Sequence, residues 1–195
     1  KNYKIPFRGN LKIFKNKLVA TNQNNSLFIF NKSDGNILKT IPTEETVVKN
    51  KFKNNLAINN KTLFLINTFG SVYSVDLENL KINWFINLNE SINLNNSNLF
   101  YGSPILSFKN KLIVSSNQFT YIIDSISGSV IYKVNFSSQV KPIVLNDYLF
   151  SITKIHIERY YNEWRKTLTL NTLSEALIGG YFGYPDLIKM FLETD

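Results

Sequence analysis

A three-fold repeat of short apolar runs constrains the fold of this chain more than any other feature. The first unit covers residues 18–38, the second 63–84 and the third 112–132, and a fourth begins at 142–145. Each run has four or five residues rich in β-branched and aromatic types, which is typical of strands. The units repeat every 45 to 48 residues. A period of this length is typical of a repeat architecture rather than of a single irregular core.

The repeat carries its own turn chemistry. Asn31, Asp76 and Asp124 occupy the same place in the three units, and the fourth residue after each is Gly35, Leu80 or Gly128. An Asx side chain can cap a tight turn, and glycine accepts the positive φ that such a turn needs.

Four short strands in each repeat predict an all-β fold: a partial β-propeller of four-stranded antiparallel blades, with three blades and part of a fourth. A β-sandwich with similar turn spacing is the alternative. The Asx-to-Gly offset, which recurs at one period, favours the propeller.

The pattern of apolar residues, Asp, Gly and then an aromatic residue resembles the PQQ-like (quinoprotein) β-propeller repeat. Val75-Asp76 through Trp84 carries it in the second unit, and Ile123-Asp124 through Gly128 to Tyr132 in the third. Within that group, residues 1–154 most resemble the BamB family of outer-membrane protein assembly factors. Two positions depart from the pattern: Leu80 replaces the turn glycine, and Lys39 replaces the aromatic residue of the first unit.

The resemblance implies a non-catalytic scaffold in the bacterial periplasm. Members of the family are lipoproteins that bind the outer-membrane assembly machinery and help insert β-barrel proteins. Their ring has eight blades, so the resemblance implies a longer parent, with the anchor cysteine outside this segment. The implied partners are that machinery and unfolded barrel clients, not nucleic acid.

Two other functions stay open at the level of sequence. One is a divergent PQQ-dependent quinoprotein dehydrogenase, and the other is a cytosolic interaction module that joins propeller and ankyrin-like pieces. Fold alone does not decide between them, because one architecture carries many functions.

The composition changes after residue 154: 26 asparagines lie in 1–154 and two in 155–195. Apolar residues at three- and four-residue spacing in 157–168 predict a helix. A second helix is predicted from Pro185-Asp186, with Phe191 on its apolar face. This C-terminal helical hairpin resembles one ankyrin-type unit. The alternatives are an amphipathic hairpin packed on the blades and a join of two unrelated reading frames.

The residues that could serve in catalysis, metal binding or phosphate binding are better explained by structural roles. His156 is the only histidine and there is no cysteine, so neither a catalytic triad nor a thiolate metal site can be assembled. Glu44-Glu45 is expected to be a divergent, solvated pair in a linker. The glycines at 179, 180 and 183 lack the spacing of a phosphate-binding loop.

Aromatic residues at repeat positions could stack on a quinone, but the repeat favours a place in the blade core. These residues are Tyr73, Trp84, Tyr121 and Tyr132. We therefore predict no catalytic, cofactor-binding or metal residues. The formal net charge of +8 is spread over lysines at turns, which indicates a solvated surface rather than a nucleic-acid interface.

Overall fold

A computed structural model describes residues 5–45, 55–89, 104–116, 118–138, 140–145, 148–151 and 190–191. These residues form strands and turns arranged in three four-stranded antiparallel sheets and one three-stranded sheet. The all-β fold class and the blade-like repeat predicted from the sequence are therefore confirmed for this part of the chain. The predicted boundary between domains at residue 154 stays a prediction.

Each repeat forms one sheet whose strands follow one another in chain order. The first sheet is β1 (Lys12–Phe14), β2 (Lys17–Thr21), β3 (Leu27–Asn31) and β4 (Ile37–Ile41). The second is β5 (Asn55–Asn59), β6 (Thr62–Ile66), β7 (Ser71–Asp76) and β8 (Lys81–Asn87). The third is β9 (Leu106–Phe108), β10 (Lys111–Ser115), β11 (Thr120–Asp124) and β12 (Val130–Val134).

The fourth sheet has β13 (Ile143–Leu145), β14 (Tyr148–Phe150) and β15 (Met190–Phe191). The backbone of β15 pairs with β14, with Met190 opposite Leu149. The second predicted helix included these two residues, and the structure has them in a strand instead, because strand pairing with a distant segment is not a local property of the sequence. The rest of the predicted hairpin lies outside the described residues.

The sheets stack face to face, and the core lies between them. Their first strands are neighbours, since β1 lies against β5 and β5 against β9. Val19, Leu27 and Ile29 of the first sheet are fully buried against the second. Phe64 and Ile66 of the second are buried against the third. Because side chains alternate between the two faces of a strand, each inner sheet contributes one row of residues to each of two cores.

A smaller core joins the third and fourth sheets. Ile113, Ile122 and Leu149 are fully buried there, with Val144 packed against them. The part of the chain that the structure describes holds no helix with the length and apolar character of a membrane span.

Candidate functional site

The three Asx residues of the repeat close equivalent turns between the third and fourth strands of their sheets. The Asp76 carboxylate accepts hydrogen bonds from the backbone N–H groups of Glu78 (2.7 Å) and Asn79 (2.8 Å). Asp124 accepts the same pair from the two residues after Ser125, at 3.0 and 2.7 Å. Asn31 accepts one backbone N–H, that of Ser33, at 3.0 Å. These side chains are occupied in holding the backbone, and each one sets the direction of the following strand.

The fourth residue of each turn has a left-handed backbone. The φ angles are 68° at Gly35, 56° at Leu80 and 81° at Gly128. Leucine is rare in this region, because its Cβ approaches the following carbonyl oxygen at a cost of roughly 1–2 kcal/mol. The second repeat therefore keeps the turn geometry although it has lost the glycine.

Trp84 connects the second sheet to the turn of the third. Its indole N–H donates to the carbonyl oxygen of Ser125 at 3.2 Å. A Cβ built on Gly128 would lie 2.7 Å from Cδ2 of Trp84 and 2.8 Å from Cε3. Real Cβ atoms do not approach ring carbons this closely, so the indole lies against a surface that only glycine provides. Phe64 lies behind it, with ring centroids 6.1 Å apart.

At the junction between the first and second sheets, the large apolar side chain comes from the turn residue instead of the strand residue. Lys39 holds the strand position that Trp84 holds in the next repeat, and Leu80 stands where Gly128 stands. The Leu80 side chain packs on the core between the first two sheets. In one junction the apolar volume comes from the strand residue, and in the other it comes from the turn residue. We therefore expect the two departures from the repeat pattern to compensate each other.

This compensation predicts a coupled pair of substitutions. Lys39→Trp alone meets the Leu80 side chain, and Leu80→Gly alone removes packing, so both single variants should lower the free energy of unfolding. The double variant should recover part of that loss, with a coupling energy of about 1–3 kcal/mol. Urea unfolding of the four proteins measures it, and additive effects within about 0.5 kcal/mol would contradict the compensation.

The turn carboxylates are more acidic than usual. Hydrogen bonds from the backbone, first that of Asn79, hold the pKa of Asp76 below its ordinary value. The backbone N–H of Ser127 does the same for the pKa of Asp124. At the neighbouring position, the hydrogen bond from Lys15 at 2.6 Å lowers the pKa of Glu78 and links the turns of the first two sheets.

The lowered pKa values predict an acid-sensitive fold. A carboxyl group with a folded-state pKa below its unfolded value of about 3.9 stabilises the protein above that value, and this contribution is lost as pH falls through the folded pKa. Asp124→Asn should cost about 1 kcal/mol at pH 7 and less as the pH falls below about 4, since Asn31 shows that an amide can close this turn. Unfolding free energies between pH 7 and pH 2 test this, and a cost of Asp124→Asn that does not change with pH would contradict it.

A second repeated cap lies at the other end of the sheets, between the second and third strands. The side-chain oxygen of Asn22 accepts from the backbone of Asn24 and Ser26. Asn67 Oδ1 accepts from Phe69 and Ser71 in the second sheet. Ser116 Oγ accepts from the backbone of the third sheet's hairpin. Sequence reasoning missed these caps, although their spacing follows the main repeat.

At this end, a tyrosine connects each of the second and third sheets to the linker that precedes it. The Tyr121 hydroxyl donates to the carbonyl oxygen of Leu88 at 3.3 Å. The equivalent Tyr73 hydroxyl accepts from the backbone N–H of Glu44 at 3.3 Å, and burial raises the pKa of Tyr73. Of the four aromatic candidates, Tyr73, Trp84 and Tyr121 therefore hold contacts between sheets. The prediction of a place in the blade core is wrong for Tyr132, which is 50% exposed because it lies on β12, the outermost strand of the third sheet.

Glu44 and Glu45 are exposed, as predicted, and their carboxylates also accept hydrogen bonds from neighbouring hairpins. Ser71 Oγ and Asn67 Nδ2 both donate to Glu44, the second at 3.2 Å. Ser26 Oγ donates to Glu45 at 3.0 Å. The two side chains do diverge, but each reaches buried polar groups of a hairpin, which the local sequence of the linker could not reveal.

No group of three or more His, Cys, Asp or Glu side chains placed to hold a metal ion occurs within the described ranges. His156 and the glycines at 179, 180 and 183 lie outside those ranges. Asp76 and Asp124 lie at the turns of different sheets. The repeated side chains therefore build turns and junctions, and the surface that they organise consists of hairpins and linkers.

Known proteins share the fold of this chain but little of its sequence. No protein-family model matches the chain, and no curated protein sequence is similar to it. BamB from Moraxella catarrhalis superposes with a TM-score of 0.58 at 12% identity, covering 78% of this chain and 45% of that one. The computationally designed Ika4 protein has a TM-score of 0.59 at 9% identity, covering 80% of this chain and 89% of that one.

A quinohemoprotein alcohol dehydrogenase from Comamonas testosteroni is also similar, with a TM-score of 0.55 at 12% identity. That likeness covers 68% of this chain and 21% of the dehydrogenase. These comparisons support a PQQ-like β-propeller fold. The chain spans less than half the length of the BamB structure that it matches.

Proposed function

We propose that this chain is part of a non-catalytic, protein-binding β-propeller scaffold. The proposal is supported by the contacts of the polar side chains of the repeat, which bind the protein's own turns and hairpins. Asp76, Asp124 and Glu44 bind backbone or hairpin groups of the fold and do not converge on one point. A catalytic site needs converging acid, base or nucleophilic groups in one cleft. A scaffold needs a rigid sheet stack that presents loops, and rigid frameworks often hold binding residues on such loops.

The specific role proposed is that of BamB: assisting the assembly and insertion of β-barrel proteins at the outer membrane. The proposed location is the periplasm, with membrane association through a lipid anchor outside this segment. The structural likeness to BamB over 78% of the chain supports this role. The partners would be the assembly machinery and extended barrel clients, which can add a strand to an exposed sheet edge.

Binding to the barrel-forming component of the assembly machinery tests this role. Isothermal titration calorimetry with its purified periplasmic domains should give one-to-one binding to the full chain. Asp124→Asn is the control and should bind as the parent does, because it removes a charge at a solvent-exposed turn and keeps the turn. Absence of binding to those domains would contradict the proposed role.

The alternative of a quinoprotein dehydrogenase is supported by the likeness to alcohol dehydrogenases. The described residues do not fit a quinone site, because Trp84 lies on Gly128, and Tyr73 and Tyr121 are hydrogen-bonded to linkers. Absorbance titration with PQQ and calcium separates the two functions. We expect no saturable binding, and a stoichiometric bound chromophore would favour the dehydrogenase.

A further inference from the structure

The turns of the first three sheets lie at one end of the stack. In each of these sheets, the turn that joins the first two strands is hydrogen-bonded to the turn that joins the last two. The backbone N–H of Lys32 donates to the carbonyl oxygen of Asn16 at 2.7 Å, and that of Ser125 donates to Asn110 at 2.8 Å. The second sheet has the equivalent bond, at 2.9 Å. We call the surface that these turns form the turn end.

The turn end continues from sheet to sheet. Lys15 Nζ donates to Glu78 at 2.6 Å and joins the first sheet to the second. Asn59 Nδ2 donates to the carbonyl oxygen of Lys109 at 3.1 Å and joins the second sheet to the third. The linkers between sheets lie at the opposite end, which we call the linker end. Further sheets of the same repeat would pack on the faces of the described sheets, so they would extend the turn end and would not cover it.

Lysines that are distant in the sequence come together at the turn end. The first sheet contributes Lys15, Lys17 and Lys32, the second Lys61 and Lys81, and the third Lys109 and Lys111. The carboxylates of these turns are fewer, and each has a partner. Glu78 accepts a hydrogen bond from Lys15. The others, Asp34, Asp76 and Asp124, accept backbone hydrogen bonds from their own turns. The turn end therefore has a net positive charge.

An apolar side chain projects from the same surface. Ile126, in the turn between β11 and β12, is 71% exposed. The equivalent residues of the first and second sheets are Ser33 and Glu78, so the turn itself does not need an apolar residue here. The hydrogen bond between Ser125 and Asn110 holds this turn beside the lysines of the turn between β9 and β10. A single exposed isoleucine is ordinary on a protein surface, but this one lies next to a cluster of positive charges.

We propose that the turn end binds the surface of an anionic lipid bilayer. The lysines would lie near the lipid phosphate groups, and Ile126 would insert at the boundary between headgroups and acyl chains. Lysines close to an anionic bilayer are attracted to it, and burial of an apolar side chain adds to the binding. This inference does not rest on the proposed scaffold function, because the contact needs no protein partner.

The exposed isoleucine favours a bilayer over a nucleic acid as the anionic partner. Proteins that bind single strands combine basic side chains with aromatic ones on which bases stack, and arginine adds to that contact. The described turns of the turn end contain lysine and no arginine. Ile126 has no counterpart on a phosphate backbone, whereas the bilayer offers it an apolar environment.

Co-sedimentation of the full chain with lipid vesicles tests the proposal. We expect saturable binding to vesicles of phosphatidylcholine and phosphatidylglycerol, weaker as salt is raised, and much weaker binding to phosphatidylcholine alone. Lys32→Glu/Lys81→Glu should weaken binding to the anionic vesicles at least about 30-fold, because both exposed lysines lie at the turn end and each contributes to the attraction.

Lys133→Glu/Lys141→Glu is the matched control, since it changes the net charge by the same amount toward the linker end. Lys133 is paired with Tyr121, and Lys141 lies in the linker after β12. A five-residue strand is roughly 17 Å long, which exceeds the Debye length of about 10 Å at 0.1 M salt. The control should therefore weaken binding less than about threefold.

Ile126→Ser tests the apolar contact separately from the charges. It should weaken binding about tenfold, because the inserted side chain is lost, and it should leave the fold intact, because Ser33 holds the same position in the first sheet. Leu11→Ser is its matched control: Leu11 is 59% exposed before β1, away from the turns, so this variant should bind as the parent does.

Four results would overturn the proposal. These are no binding to anionic vesicles, equal losses in the two lysine pairs, an unchanged affinity of Ile126→Ser, and binding to a duplex DNA oligomer without binding to vesicles. The last result would assign the turn end to nucleic acid instead. Circular dichroism spectra of the variants establish that they are folded like the parent.

Discussion

Replacing Trp84 by alanine should lower the free energy of unfolding by about 3 kcal/mol, at the low end of the range for buried aromatic truncations because the indole is only partly buried. The substitution removes three things together: the ring contact with Phe64, the hydrogen bond to the carbonyl of Ser125, and the packing on Gly128. It also opens a gap between two sheets.

Trp84→Phe is the matched control, since it keeps most of the ring and loses the indole N–H. Its cost should lie near 1 kcal/mol, the net contribution of one hydrogen bond with some lost packing. Urea unfolding followed by far-ultraviolet circular dichroism measures both, because the signal does not depend on tryptophan. Equal costs for the two variants would show that the hydrogen bond, and not the ring, holds the junction.

The size of the Trp84 effect follows from where the junction lies. Each sheet contacts only its neighbours, so the stability of the stack is close to a sum of sheets and junctions. Trp84 connects the second and third sheets on the side away from the linkers, whereas Tyr121 connects them on the linker side. Loss of the indole therefore leaves one end of this junction held and the other free to open.

The turns and the order of the strands could be predicted from sequence because their causes are local. An Asx residue and a left-handed position four residues later determine a hairpin, and the same pattern recurs in each unit. Asn31, Asp76 and Asp124 accept backbone hydrogen bonds in the structure at the expected turns. Successive side chains of a strand point to opposite faces, so the residues of β6 and β7, which are buried on both faces, divide between the two neighbouring sheets.

What could not be predicted depends on pairs of distant residues. Leu80 and Lys39 each look like a departure from the repeat, and only the structure shows that the Leu80 side chain packs on the core between the first two sheets. Glu44 accepts hydrogen bonds from Ser71 and Asn67. These bonds join a linker to a hairpin more than 20 residues away. The pairing of Met190 with Leu149 joins segments separated by 41 positions, and the local sequence does not predict it.

Gly128→Ala should lower the free energy of unfolding by about 3 kcal/mol, whereas Gly35→Ala should cost only about 1 kcal/mol. Both glycines have a left-handed backbone, with φ of 81° and 68°, so both substitutions carry the strain of an L-residue in that region. The difference lies in the space around the new methyl group. At Gly128 it would meet Trp84 at 2.7 Å, and at Gly35 it would meet no described atom within 4 Å.

Overpacking of a rigid contact typically costs a further 1–3 kcal/mol, because the ring or the turn must move. Trp84 cannot yield freely, since its indole N–H is bonded to the same turn that carries Gly128. The two alanine variants therefore separate backbone strain from contact with the indole, and the double variant Trp84→Ala/Gly128→Ala completes the comparison. With the ring removed, Gly128→Ala should cost no more than Gly35→Ala. If it still costs about 3 kcal/mol, the glycine is required by the turn itself and not by the tryptophan.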